Sequence, residues 1–198
     1  ADSLTSLAYT RRLKEIAGND TDHYHFTKLK YGSYGNYLRK GQKNVVIFPC
    51  SKEITVKDFL TKFNKHSKDY DISLVGTEEW LDFSIIEADY YENLNLHVPT
   101  VNFFSVTDTA NYKFIAAYQA NLKADPTLYS YKGYQVACYM MNALFRYGEY
   151  TGDCLHRPVQ CNCPVPFSFY RTAPNNGVEN RVIQLIVFEN YRYRVTPY

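Results

Sequence analysis

The sequence predicts an α/β fold, a three-layer α-β-α domain with a mainly parallel sheet and a C-terminal antiparallel β-hairpin. Three observations support this prediction. Residues 44–49 and 71–75 are short apolar runs that each lead into a polar loop. The segment between them repeats its apolar residues with the period of an amphipathic helix, so the three elements form a β-α-β unit. From Cys163 onward the apolar period becomes two, which is typical of strands.

In the N-terminal part, the sequence pattern predicts a helix, a weak strand and a second short helix. Residues 25–29 favour the strand and residues 33–39 the short helix. A doubly wound sheet normally opens with a strand, so the helical start predicts that a strand is missing upstream of Ala1. The first helix, residues 3–17, ends at Gly18 and spaces five apolar residues for burial: Leu4, Leu7, Ala8, Leu13 and Ile16.

The helix of the β-α-β unit is predicted over residues 55–66. Thr55 is placed to cap its start, with Asp58 three residues later approximating a capping box. Residues 45–48 are apolar at every position, which predicts a strand buried on both faces. The helix turns four residues towards the core at i, i+3, i+4 and i+7: Val56, Phe59, Leu60 and Phe63.

Helical patterns dominate the middle of the chain. Residues 84–93 favour a short helix and residues 98–104 a strand. Two long helices follow at 108–123 and 131–147, separated by a Pro126 break. The first of these is predicted to bury Tyr112, Ile115, Ala116 and either Gln119 or Leu122.

In the C-terminal part, the sequence pattern predicts strands and turns. A strand runs from Cys163 to Phe169, and a turn cluster at 173–177 precedes strands at 181–188 and 191–195. We therefore divide the chain into an α/β core (1–106), a helical return segment (107–153) and a hairpin that completes the domain (154–198).

Composition excludes several classes of function. The chain carries 22 basic and 20 acidic residues, and a net charge of +2 is too small to predict a nucleic-acid partner. The sequence contains no glycine loop for phosphate and no nucleophile elbow. Glu78 and Glu79 are adjacent, so in extended backbone they point apart, which is poor geometry for acid–base work. We expect no enzymatic activity and no cofactor.

The sulfur-rich segment leaves three alternatives open. Cys154, His156, Cys161 and Cys163 offer four soft ligands within ten residues, but the spacing differs from that of common zinc sites. Buried free thiols packing as small hydrophobes are favoured over a metal site. A disulfide from Cys154 to Cys161 or to Cys163 is the third alternative, and the five cysteines of the chain leave at least one unpaired.

Several stretches in their order along the chain resemble type I periplasmic binding proteins, the two-lobed receptors related to branched-chain amino acid binding proteins. The resemblance covers most of residues 40–195. It departs from the family at Gln135, where members usually have Asp. The stretches that carry it are Asn44–Ser51, Leu74–Trp80, Phe114–Tyr118, Gly133–Tyr139, Ala143-Leu144, Tyr147-Gly148, Phe167–Arg171, Asn175–Gly177 and Asn180-Arg181.

The resemblance implies that the chain is the second lobe of such a receptor with its return segment. It implies non-catalytic binding of an amino acid or another small polar ligand, delivered to an ABC transporter or another envelope partner. The implied location is periplasmic or extracytoplasmic, with a lipid anchor as an option in the full-length protein. Two alternatives stay open: an interaction or sensor module of the same fold without small-molecule binding, and a flavodoxin-like enzyme.

The resemblance also implies that the ligand contacts come from loops that follow the strands. Ser51 offers a hydroxyl, Glu78 a carboxylate for an ammonium group, and Trp80 a ring that either stacks on an apolar group or belongs to the core. Thr77 and Cys50 complete the predicted site.

In the family, the two long helices pack on the first lobe, which is absent from this chain. Their apolar faces must be covered in another way, because large exposed apolar patches are rare on soluble monomers. Either the helices fold back on the chain's own sheet or a second copy of the chain covers them, and the second copy is favoured, in a two-fold homodimer or by an exchange of helices. The residues concerned are Tyr112, Ile115, Val136, Met140 and Leu144.

Overall fold

The computed structural model describes residues 30, 32–101, 103–105, 109–157, 159, 167–173 and 176–196. The predicted helix 3–17, the predicted strand 25–29 and the thiols of Cys161 and Cys163 lie outside the described residues. The chain divides into two compact units, one formed by residues 1–100 with 185–198 and the other by residues 101–184. The predicted boundaries at 106 and 153 stay predictions.

A five-stranded sheet with the strand order β1-β2-β3-β6-β7 forms the centre of the first unit. The β1–β2 and β2–β3 pairs are parallel, and β6 and β7 form an antiparallel hairpin. The predicted α/β class with a mainly parallel sheet and a terminal hairpin is confirmed. The strands are β1 (Lys43–Ile47), β2 (Asp71–Val75), β3 (Leu96–Thr100), β4 (Phe169–Arg171), β5 (Val178–Asn180), β6 (Gln184–Glu189) and β7 (Arg192–Val195).

Five α-helices are described, together with four 3-10 turns. No described helix has both the length and the apolar character needed to cross a bilayer. The helices are α1 (Glu53–Phe63), α2 (Ala88–Asn93), α3 (Thr109–Leu122), α4 (Leu128–Tyr147) and α5 (Thr151–Cys154), and the 3-10 turns are Tyr34–Tyr37, Asn64–His66, Glu78–Asp82 and Gly148–Tyr150.

Helix α1 begins two residues earlier than predicted. Its N-cap is Lys52, so the capping role predicted for Thr55 is wrong. Asp58 instead forms an i,i+4 ion pair with Lys62 at 2.6 Å. The first turn contains Glu53, whose Oε1 accepts hydrogen bonds from the backbone amides of Ser84 and Ile85 at 2.5 and 2.8 Å. A carboxylate at this end of a helix is favoured by the helix dipole.

The core of the first unit lies between α1 and one face of the sheet. The four predicted core residues of α1 are all buried, which confirms its amphipathic pattern. The ring of Phe59 stacks on Phe48 at 4.1 Å and meets Tyr34 edge-on at 5.4 Å. These rings cover the side of β1 that carries Val46.

The prediction that residues 45–48 are buried on both faces is wrong. Val46 is 6% exposed, but its neighbours Val45 and Ile47 are 61% and 40% exposed. Successive side chains of a strand point to opposite faces, so the exposed pair belongs to the second face of the sheet. The described residues of the first unit cover the first face of β1 far better than the second.

The terminal hairpin is held by α2. The turn residues Asn190 and Tyr191 both have positive φ, 52° and 58°, as tight hairpin turns require. Their backbone amides donate to the two carboxylate oxygens of Glu92 at 3.0 and 3.2 Å. The Tyr191 hydroxyl donates to Asp89 at 2.8 Å. Two carboxylates of one short helix therefore fix the position of the turn.

The second unit contains α3, α4, α5 and the small antiparallel β4–β5 pair. Helix α4 begins with a capping box in which Thr127 and Ser130 exchange hydrogen bonds. On α3 the predicted buried stripe is wrong, since Tyr112 is 67% exposed, while Ala116, Gln119 and Leu122 are also exposed. Ile115 is half-buried.

Helix α3 instead packs through a stripe that starts one residue earlier. Asn111 is buried, and the ring of Phe114 stacks on Tyr134 of α4 at 4.4 Å. Phe114 also contacts Tyr118 and Tyr131. Both stripes fit a helical period, and the aromatic contacts with α4 decide between them.

The strand predicted at 181–188 is divided. Residues 178–180 form β5 and pair with β4, whereas β6 begins at Gln184.

Cys50, Cys138 and Cys154 are free thiols in the structure. The described residues contain no cluster of three or more metal-binding side chains.

Candidate functional site

The three parallel strands end at one edge of the sheet. Beyond the last paired residues, the amide of Phe48 donates to the carbonyl of Val75 at 2.9 Å, and the amide of Gly76 donates to that of His97 at 3.0 Å. The loops that begin at residues 48 and 76 therefore leave the sheet side by side. Loops at the carboxyl ends of parallel strands are the usual ligand-binding position in α/β sheets.

A buried hydrogen bond joins these two loops. The Nε1–H of Trp80 donates to the carbonyl oxygen of Cys50 at 2.7 Å. The Trp80 side chain has no exposed surface, and its ring stacks on Tyr91 at 6.3 Å. Of the two alternatives that the sequence left open, the structure places Trp80 in the core. The buried Trp80 ring supports the two loops from the interior of the unit, and a ligand cannot reach it.

Cys50 is also buried, with 6% of its surface exposed. Its Sγ lies 4.0 Å from the carbonyl oxygen of Lys52, and its own carbonyl is occupied by Trp80. Cys50 therefore shapes the loop and does not present its thiol at the surface.

Glu78 is the best-placed polar side chain at this edge. Its Oε1 accepts a hydrogen bond of 2.7 Å from the hydroxyl of Thr100, the last residue of β3. This contact brings the end of the third strand into the site. The sequence analysis missed Thr100, although its place as a hydroxyl residue after an apolar run was a usable signal.

Two hydroxyls complete the edge. Ser51 is exposed and follows Cys50 directly. The Thr77 Oγ1 is buried and has no hydrogen-bond partner in the described part of the chain. A buried hydroxyl without a partner is costly, and sites that bind polar ligands are one place where such groups occur. The neighbouring Glu79 is exposed.

Two buried phenols of the first unit resist ionisation. Burial raises the pKa of the Tyr91 phenol, with smaller effects from Tyr193 and Glu53. Burial also raises the pKa of Tyr193 to about 12. Both phenols are therefore neutral at physiological pH.

A cavity of about 10 Å³ in the second unit is too small for a ligand. It has room for about one water molecule, whereas small-molecule sites occupy ~300–1,000 Å³. It is lined by Val101, Phe103, Phe104, Leu128, Tyr131, Lys132 and Gln135.

No protein-family model matches the chain, and no curated protein matches it. Solved structures that resemble this chain include these two. One belongs to a branched-chain amino acid ABC transporter of Rhodospirillum rubrum, with 18% identity, a TM-score of 0.44 and coverage of 73% of this chain and 42% of that one. The other is an ABC transporter substrate-binding protein of Desulfitobacterium hafniense in complex with Leu, with 15% identity, a TM-score of 0.40 and coverage of 77% and 43%.

This chain thus spans less than half the length of either protein.

Proposed function

We propose that the chain is a non-catalytic, extracytoplasmic solute-binding domain for an amino acid or another small polar ligand. The observation that carries the proposal is the joining of three strand ends, by the Trp80–Cys50 and Glu78–Thr100 hydrogen bonds, into one polar edge. Such an edge holds a carboxylate and hydroxyls on a rigid aromatic support, which suits recognition of an ammonium group.

Each polar group has a separate role in the proposal. Glu78 pairs with the ammonium group of the ligand, and Thr100 orients its carboxylate. Ser51, which is exposed, supplies a hydroxyl to the polar atoms of the ligand. Charge-assisted hydrogen bonds of this kind are about twice as strong as neutral ones. Cys50 and Trp80 hold the backbone of the site in place.

A binding screen tests this proposal. Trp80 is the single tryptophan of the chain, so its fluorescence reports on the unit that contains the site. We expect a free amino acid at about 100 times its Kd to stabilise this unit by about 2.7 kcal/mol and to raise its midpoint temperature by several degrees. The N-acetylated form of the same amino acid, which lacks the ammonium group, should leave the midpoint unchanged.

Matched variants locate the site. Glu78→Gln should abolish the shift, whereas Glu79→Gln, one residue away and exposed, should keep it. If no amino acid or polar solute shifts the midpoint at millimolar concentration, the alternative of an interaction or sensor module replaces solute binding. Turnover of a solute that is lost in Glu78→Gln would instead support the enzyme alternative.

The partners proposed for this function are an ABC transporter or another envelope protein, and a second copy of the chain. The second copy is suggested by the α4 apolar face, defined as Gly133, Val136, Ala137, Met140, Met141 and Leu144. Val136, Met141 and Leu144 are 47%, 62% and 56% exposed, and residues 133–145 carry no charge. Two such faces meet without repulsion between like charges.

A further inference from the structure

We propose that one edge of the sheet in the first unit is a docking surface for an anionic lipid bilayer. The edge is the end of the sheet at which β1 and β2 begin, opposite the candidate ligand site. The basic amino edge is defined by five residues whose side chains are all exposed: Arg39, Lys40, Lys43, Lys65 and Lys68.

The small net charge of the chain conceals a separation of charge along it. Residues 30–68 contain nine Lys and Arg residues and two acidic residues. Residues 69–112 contain nine acidic residues and no Lys or Arg. The net charge therefore says little about the electric field at any one part of the surface, which depends on how the fold places these groups.

The β-α-β unit returns the chain to the edge from which it started. Because β1 and β2 are parallel, the turn that ends α1 lies beside the start of β1. Lys65 belongs to the 3-10 turn after α1, and Lys68 follows before β2 begins. Lys43, the first residue of β1, pairs in register with Asp71, the first residue of β2. Basic residues more than twenty positions apart thus share one edge.

The side chain of Asn44 fixes the segment before β1 to the same edge. Its Oδ1 accepts a hydrogen bond from the backbone amide of Arg39 at 2.8 Å, and its Nδ2 donates to the carbonyl oxygen of Asp71 at 3.0 Å. The Nζ of Lys40 lies 6.0 Å from the centre of the Tyr70 ring, just before β2. Arg39 and Lys40 are therefore held next to the start of the second strand.

The positive charge of this edge is not neutralised locally. Two exposed carboxylates, Asp69 and Asp71, lie among the five basic residues. No ion pair joins any of the five to a carboxylate in the described part of the chain, where the ion pairs involve other basic residues. The edge keeps an excess of exposed cations, which an anionic surface attracts.

The carboxylates at the opposite edge are too distant to cancel this attraction. Glu53, Glu78 and Glu79 lie at or beyond the carboxyl ends of the strands. A parallel strand of five residues is about 16 Å long. The Debye length at physiological ionic strength is about 8 Å, so the two edges act on their surroundings almost independently.

The chemistry of the edge favours a bilayer over a nucleic acid. Four of its five basic residues are lysines, which act as point charges and lack the planar fork of arginine. Tyr70, the aromatic residue beside Lys40, is half-buried and packs against His66. Binding of single strands normally uses exposed rings on which bases stack. Attraction by charge alone is the mode in which basic surfaces bind anionic headgroups.

Sedimentation with lipid vesicles tests the proposal on the full chain. We expect the chain to bind vesicles of phosphatidylglycerol and phosphatidylcholine, and not vesicles of phosphatidylcholine alone. About 1 M salt, at which the Debye length falls to about 3 Å, should release it. This salt dependence needs no variant, and the result is independent of whether the chain binds an amino acid.

Matched variants locate the docking surface. Lys43→Gln combined with Lys68→Gln should lower the partition coefficient roughly 25-fold, because each basic residue at an anionic surface contributes about fivefold. Lys113→Gln combined with Arg157→Gln removes the same charge from exposed positions of the second unit and should change it by less than about twofold. Thermal unfolding followed by Trp80 fluorescence should show that both variants remain folded.

Three outcomes overturn the proposal. The first is equal binding of the parent chain to anionic and neutral vesicles, or to neither. The second is an equal loss of binding in the two double variants, which would mean that total charge and not this edge is responsible. The third is binding to a single-stranded DNA oligomer that is tighter than binding to vesicles and is lost in the Lys43 and Lys68 variant, which would assign the edge to a nucleic acid.

Discussion

The indole of Trp80 donates its hydrogen bond to the carbonyl of Cys50, thirty residues earlier in the chain, at 2.7 Å. The bond is buried and links the loops after β1 and β2. When a buried carbonyl loses a strong donor, the folded state loses free energy equal to the cost of removing that carbonyl from water. The bond therefore sets the geometry of the candidate site without touching a ligand.

Trp80→Phe should lower the free energy of unfolding of the first unit by about 1–3 kcal/mol, because it leaves the Cys50 carbonyl unsatisfied. Urea denaturation followed by circular dichroism measures the change. Tyr91→Phe is the control, since its hydroxyl lies 3.4 Å from the Trp80 carbonyl and makes a weak bond at best. If Trp80→Phe and Tyr91→Phe lower the free energy of unfolding equally, the role given to the indole N–H is wrong.

Gly76→Ala should destabilise the first unit by about 1–3 kcal/mol through overpacking. A Cβ atom at Gly76 would lie 2.6 Å from two carbon atoms of the Trp80 ring. Gly133→Ala is the matched control, because a Cβ there meets nothing within 4 Å and the residue lies inside helix α4. That change should be neutral or should stabilise α4 by up to about 1 kcal/mol.

The first unit should lose stability on acidification through His66. Burial lowers the pKa of His66 below 6.5, with a further lowering by Lys65 that Asp69 partly opposes. The folded state therefore favours the neutral imidazole. The contribution of His66 to the free energy of unfolding is fully present above pH 6.5. It decreases as the pH falls below 6.5 towards the lower pKa of the folded state.

Urea midpoints at pH 7.5 and 5.5, read by Trp80 fluorescence, measure this loss. His66→Gln should reduce the difference between the two midpoints. His97→Gln in the same unit controls for the removal of an imidazole. The assignment to His66 is wrong if the parent chain and His66→Gln lose the same stability between the two pH values.

The α4 apolar face should mediate self-association. Light scattering at about 50 µM is expected to give the mass of a dimer, and Leu144→Glu should give a monomer, because two buried carboxylates would face each other without partners. Ile54→Glu, at an exposed aliphatic residue of the first unit, should remain dimeric. A parent chain that is monomeric at this concentration would remove the homodimer from the proposed partners.

The sequence by itself determined the elements whose pattern admits one solution. The stripe Val56, Phe59, Leu60 and Phe63 has a single helical phase, and it is buried as predicted. The runs at 44–49 and 71–75 lead to β1 and β2, which pair in parallel because a helix connects them. The loops after these strands were therefore predictable as neighbours, together with Ser51, Thr77 and Glu78.

Only the tertiary structure decided the features that depend on what packs against an element. Helix α3 has two stripes of helical period, and the rings of Phe114 and Tyr134 select the one that excludes Tyr112. The role of Trp80 as a core residue, and the contact of Glu78 with Thr100, join segments more than twenty residues apart. Local patterns carry no information on such partners, because the free energy that selects them comes from contacts formed only when the chain has folded.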